Sequence, residues 1–227
     1  MVLAIHKSAL LEIDVQNDFC PSYTAASGEK RPQGALAVAD GDAVTAPLNA
    51  LAVRFAREGG GRVIATADWH PGGHCSFAAS HPGKEPGDTV SLPGAGDQVL
   101  WPVHCVQGTP GADFHDRLDL RPVNLIIRKG FRKGLDSYSA FFENDRKTST
   151  GLDGFLKGLG IGTVVLGGLA TDYCVLYSAM DAVALGYTTV VLKDAVRGVG
   201  FPAGSVEKAL ADMEAAGILL LNSGELK

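Results

Sequence analysis

The stretch Thr163-Val164-Val165-Leu166-Gly167-Gly168-Leu169-Ala170-Thr171-Asp172-Tyr173-Cys174 decides the fold. Its first seven residues form a short β-branched apolar run without polar alternation, the pattern of a parallel strand covered on both faces. A helical stretch, Asp172–Leu185, follows at once and stops at Gly186. A buried strand leading directly into a helix is the unit of an α/β protein.

The same rhythm extends in both directions. Strands are predicted at Ala9–Val15, Arg62–Ala67, Val123–Arg128, Thr188–Leu192 and Gly217–Leu221, giving six in all. Helices are predicted at Ala43–Glu58, closed by Gly59-Gly60-Gly61, and at Ser205–Ala216, closed by Gly217. The expected fold class is therefore α/β with a mostly parallel sheet. Residues 20–40 and 71–122 break the rhythm as long loops, and the second contains seven prolines. Loops of this length in a compact domain are usually functional or mobile. No linker separates two cores, so residues 1–227 are read as a single domain.

Composition narrows the function classes. Apolar residues make up 46 % of the 227, with 20 % charged and a mean hydropathy of +0.12, so a sizeable core is expected. No apolar run approaches the ~20 residues of a membrane span. Met1–Lys7 lacks a signal-peptide layout. The net charge is −5 and basic residues form no block, which disfavours nucleic acid. Cys20, Cys75, Cys105 and Cys174 form no CxxC pair and are expected as free thiols in a reducing cytoplasm.

In open α/β sheets, ligands bind beyond the carboxyl ends of the strands. Four strand ends here carry polar groups: Asp14, Asp68-Trp69-His70, Lys129 and Asp172-Tyr173-Cys174. Cys174 opens a helix, where a thiol pKa can fall, although Asp172, read as a cap or first-turn acid, would oppose that. Asp14 and Lys129 add a carboxylate base and a cation to this nucleophile. Asp68 and His70, joined by a distant His104, make a carboxylate–imidazole set suited to Zn²⁺, Fe²⁺ or Mn²⁺. Gly158-Leu159-Gly160-Ile161-Gly162 precedes a strand and is no dinucleotide fingerprint. Nucleophile elbow, Walker A and HExxH patterns do not occur.

Asp14-Val15-Gln16-Asn17-Asp18-Phe19, Asp68-Trp69-His70-Pro71, Trp101-Pro102-Val103-His104-Cys105, Lys129-Gly130 and Gly168-Leu169-Ala170-Thr171-Asp172-Tyr173-Cys174-Val175 resemble, in order, the motifs of nicotinamidases. These belong to the isochorismatase-like cysteine hydrolase superfamily. The resemblance implies a three-layer α/β/α fold and an amidase that converts nicotinamide to nicotinate and ammonia through a cysteine thioester, in pyridine nucleotide salvage. It implies a triad of Asp14, Lys129 and Cys174, and an oxyanion hole from the N–H groups of Ala170 and Cys174, with a cis peptide before Ala170. It also implies one divalent metal, zinc first with iron or manganese as alternatives, on Asp68, His70 and His104, with His74 as an optional fourth ligand. Phe19, Trp101 and Tyr138 would form the ring pocket, which pyrazinamide would also fit. A homo-oligomer is compatible with all of this. The competing expectations are a related amidohydrolase acting on another carboxamide or carbamoyl group, and a non-catalytic member of the superfamily.

Overall fold

The computed structural model describes residues 1–25, 27–58 and 60–227. Six strands form its central sheet: β1 (Ser8–Ile13), β2 (Arg62–Asp68), β3 (Leu125–Lys129), β4 (Thr163–Leu169), β5 (Thr188–Arg197) and β6 (Leu219–Leu221). They lie in the order β6-β5-β4-β1-β2-β3, and every pairing is parallel. The helices are α1 (Thr45–Arg57), α2 (Leu152–Gly158), α3 (Leu176–Ala184) and α4 (Ser205–Ala215).

Side-chain alternation along the strands divides the core in two. Leu10, Val165, Val190 and Leu192 pack with Leu48, Leu51, Ala52 and Phe55 of α1. Leu11, Ile13, Val164, Leu166 and Val191 face the opposite way, with Leu152 and Leu156 of α2, Ala179 and Ala182 of α3, and Ala209 and Met213 of α4. The result is the three-layer α/β/α arrangement the motifs implied. Chain direction across the sheet reverses between β1 and β4, so the ligand-binding crevice of such sheets falls between their carboxyl ends.

Several boundaries differ from expectation. The stretch 71–122 contains a hairpin pairing Thr89–Leu92 with Gly96–Val99, and a smaller one pairs Tyr23–Thr24 with Lys30–Arg31. β1 ends at Ile13 because Asp14 turns the chain with a positive φ of 48°. The predicted stop of α1 includes Gly59, which lies outside the described residues; α1 itself ends at Arg57. No helix among the described residues is long and apolar enough to cross a membrane.

A carboxylate within β1 breaks the apolar pattern away from the strand ends. Glu12 of β1 is fully buried, and neither carboxylate oxygen has a hydrogen-bond partner among the described residues. Burial, reinforced by Asp119, pushes its pKa from 4.5 up to about 8. At intermediate pH the folded chain therefore holds a proton that the unfolded chain has released. Stability then falls as pH rises from about 4.5 to about 8. The expected loss is on the order of 4 kcal/mol, and Glu12→Gln should remove that slope. Urea unfolding at pH 5 and pH 8 measures both, and a wild-type protein of equal stability at the two values would contradict it.

Candidate active site

The carboxyl ends of β1, β2, β3 and β4 converge on one buried cluster. Asp14 leaves β1 and is clamped by Thr66 of β2, whose hydroxyl donates to Oδ1 at 2.6 Å and accepts the Asp14 N–H at 3.1 Å. Asp68 and Lys129 are register partners on β2 and β3, so their side chains emerge side by side. Lys129 is fully buried and forms the hub. Its Nζ lies 2.7 Å from Asp14 Oδ2 and 2.5 Å from Asp68 Oδ1. It also donates to the Ser137 carbonyl at 3.0 Å and to Cys174 Sγ at 3.4 Å. The sequence suggested two separate constellations, a triad and a metal set; one ammonium joins them.

Cys174 sits in a π-type turn, Thr171–Val175, that precedes α3. The Leu169–Ala170 peptide is cis, as the resemblance implied. The Ala170 carbonyl accepts N–H bonds from Tyr173 and Val175 and so anchors the turn. Asp172 lies in the first turn, one of its two expected places, but its side chain caps no N–H of that turn. Its carboxylate accepts the N–H groups of Val199 and Gly200, each at 2.9 Å, and the Ser205 hydroxyl at 2.6 Å. It thereby ties the nucleophile turn to the segment leading into α4.

Charge states follow from burial and from Lys129. Burial drives the Cys174 thiol well above its ordinary range; Lys129 opposes this and Asp14 adds to it. The resting thiol is protonated. Burial also raises Asp14 despite its contact with Lys129, so this carboxylate takes up a proton readily. For Asp68, burial is outweighed by Lys129, His70 and His104, which hold its carboxyl well below the usual range. Burial would lower Lys129, but Asp14 and Asp68 keep it fully protonated.

Asp68, His70 and His104 bring one ligand atom each within 4.8 Å of the others. Nδ1 of His70 lies 2.8 Å from the Gly130 carbonyl, and Nδ1 of His104 lies 2.8 Å from the Pro102 carbonyl. With Nδ1–H donated to these carbonyls, a neutral ring offers its Nε2 lone pair to a metal; burial lowers the His70 pKa, but Asp68 outweighs burial and raises it. Both Nε2 atoms face Asp68 Oδ2, at 3.6 and 3.9 Å. Burial, with His70 beside it, pushes His104 down to about 4, so this ring is neutral. Gly130, at φ 61°, permits the close approach of His70: a Cβ there would meet the imidazole at 2.5 Å. The donor set thus fits a divalent ion. His74 stacks on His70 at 4.2 Å, but its Nδ1 bonds the Ser76 hydroxyl and its Nε2 the Leu135 carbonyl. A role as fourth ligand would require one of these bonds to break.

The cluster floors a cavity lined by Phe19, Trp101 and Tyr138, together with Leu36, Asp136, Tyr173 and Val199. Trp101 Nε1 donates to the Tyr138 hydroxyl at 3.1 Å, and Tyr173 stacks edge-on against Trp101 at 4.8 Å. Sequence reasoning missed Tyr173, although its place beside Cys174 on the same turn was the available signal. Leu36 and Val199 come from connecting segments and carried none.

A buried thiol, carboxylate and ammonium thus meet at the switch point of a parallel sheet, beneath an aromatic-walled cavity, as the candidate active site. The chain belongs to the isochorismatase family, whose domain model matches residues 8–224. It is 46 % identical over 215 residues to a nicotinamidase of Acinetobacter baylyi, covering 95 % of this chain and 92 % of that protein. It is 41 % identical to a nicotinamidase of Escherichia coli, with 93 % of each covered. Among solved structures, an Acinetobacter baumanii nicotinamidase/pyrazinamidase superposes with a TM-score of 0.87 at 46 % identity, covering 97 % of this chain and 98 % of the other. PnC1 from L. infantum, in complex with nicotinate, gives 0.79 at 35 %, covering 100 % and 98 %. A pyrazinamidase of Pyrococcus horikoshii in complex with zinc gives 0.73 at 32 %, covering 95 % and 99 %.

Proposed function

We propose that this chain is a nicotinamidase, releasing ammonia from nicotinamide and, in the same pocket, from pyrazinamide. The observation that carries this is the Lys129 ammonium touching Asp14, Cys174 and Asp68 at once beneath the aromatic cavity. The naming of the relatives as nicotinamidases and the nicotinate bound to one of them support the substrate class.

In the proposed reaction the Cys174 thiol passes its proton to Asp14 as sulfur bonds the carboxamide carbon. The N–H groups of Ala170 and Cys174 hold the resulting oxyanion, each worth ~3–4 kcal/mol. Asp14 returns the proton to the departing nitrogen, the C–N bond breaks, and ammonia leaves a thioester. Water then attacks the thioester and passes a proton to Asp14. The C–S bond breaks as Asp14 returns that proton to sulfur, restoring the thiol, and the acid departs as nicotinate after giving its proton to solvent. The raised pKa of Asp14 suits both directions of transfer. Lys129 keeps Asp14 oriented and balances the buried charge.

Asp68, His70 and His104 would hold a divalent ion, zinc first in view of the zinc-bound relative, with iron or manganese as alternatives. Such an ion would supply a Lewis acid for the pyridine nitrogen and so help to orient the ring. The buried free thiols agree with a cytoplasmic enzyme.

The test is ammonia release from nicotinamide, with metal analysis of the same sample. Chelation should weaken nicotinamide binding strongly and leave Cys174 open to alkylation. Benzamide, which lacks the ring nitrogen, should be a poor substrate with or without metal. Metal-free protein that keeps its full preference for nicotinamide over benzamide would show that these side chains merely shape the loop.

A further inference from the structure

The turn after β1 carries two side chains that the chemistry above does not use. Gln16 is fully buried. Its amide nitrogen donates to the Asp68 carbonyl at 2.9 Å and to the Ala112 carbonyl at 2.8 Å. Its amide oxygen accepts the Asp68 N–H at 2.8 Å. The side chain therefore pairs with both backbone groups of Asp68, as a neighbouring strand would, at the point where β2 ends. Both of its donors are used, so the amide has one orientation consistent with its surroundings.

Asp18 does the same for the second loop. Its Oδ2 accepts the Cys105 N–H at 2.7 Å, and its Oδ1 accepts the Ala35 N–H at 3.2 Å. Cys105 follows His104 directly, holds a φ of 45°, and accepts the His70 N–H through its carbonyl at 3.0 Å. The carboxylate reaches this position only because residue 111 is glycine: a Cβ on Gly111 would lie 2.1 Å from Asp18 Oδ2. One short turn thus grips the backbone of Asp68 on one side, and on the other the backbone that links His104 to His70.

We propose that Gln16 and Asp18 are positioning residues for the metal set. By fixing the two loops relative to β1, they hold Asp68, His70 and His104 at the separation a divalent ion needs. The inference rests on the metal assignment made for those three residues. Outer partners of this kind typically change metal affinity by ~10–100-fold when removed.

Gln16→Met keeps the length of the side chain and removes all three bonds. Asp18→Asn removes one acceptor and folds more readily, so it carries the test if the first variant does not fold. Zinc affinity, measured by competition with a chromophoric chelator, should weaken ~10–100-fold in either variant. The alkylation rate of Cys174 in the zinc-free protein should not change. Leu48→Ala, a core change under α1, serves as the control: it should lower the melting temperature and leave zinc affinity intact. Wild-type affinity in the folded variants, or an equal loss in Leu48→Ala, would overturn the proposal while leaving the metal assignment standing. A wild-type chain that binds no zinc, iron or manganese would overturn both.

Discussion

Cys174→Ala should yield a folded protein with the metal content of the wild type that turns over no nicotinamide. The substitution removes one sulfur atom from a turn that is otherwise held by the Ala170 carbonyl and by Asp172. The cost to stability should be small, about 1 kcal/mol. The cost to activity should be at least ~10⁴-fold, because no other thiol among the described residues lines the cavity and the reaction loses its covalent route. Retention of even a tenth of the wild-type rate would remove Cys174 from that role.

A second readout uses the wild type. All four cysteines are buried, and burial pushes Cys20 and Cys75 up to about 12. Cys174 alone among them lines the cavity. It should be alkylated first, slowly at neutral pH and faster as pH rises, since its thiol also starts protonated. Nicotinamide should protect it.

The sequence showed clearly those elements whose burial is continuous. β4 runs over Thr163–Leu169 as its uninterrupted apolar run indicates. β5 continues past Leu192 to Arg197, which its polar Lys193-Asp194 step conceals; a register shift in the pairing with β4 lets Val196 and Arg197 rejoin it. The helix read from Asp172 opens as the π-type turn Thr171–Val175, where the Val175 N–H bonds the Ala170 carbonyl five residues back, and becomes α3 at Leu176. α2 spans seven residues and includes Gly154 and Gly158, too short and too glycine-rich to show a period. The hairpin over Thr89–Val99 did leave a signal, a β-branched run followed by a Pro-Gly turn. For the site, strand-end reasoning was enough to gather Asp14, Asp68, Lys129 and Cys174 on one rim. It could not show that Lys129 serves both Asp14 and Asp68. That follows from β2 and β3 being neighbours in register, which no local pattern encodes.

Lys129→Met should therefore cost more stability than Cys174→Ala. It withdraws the ammonium from two buried carboxylates at once and leaves both without their strongest counter-charge. Breaking a buried pair in this way typically costs ~3–5 kcal/mol. Asp14, already raised by burial and no longer opposed by Lys129, would take up a proton at neutral pH. It could then no longer accept one from Cys174, and kcat should fall by roughly 10²–10⁴. Asp68 loses the largest of the influences that keep it ionised, although His70 and His104 remain beside it. A bound divalent cation replaces part of the missing positive charge, so chelation should destabilise Lys129→Met more than it destabilises the wild type. Adding Asp14→Asn to Lys129→Met removes one of the two stranded carboxylates. The double variant should melt at a higher temperature than Lys129→Met alone, although it is equally inactive. If the two substitutions instead lower stability additively, Asp14 and Lys129 are not coupled, and the hub that joins the nucleophile to the metal set is not Lys129.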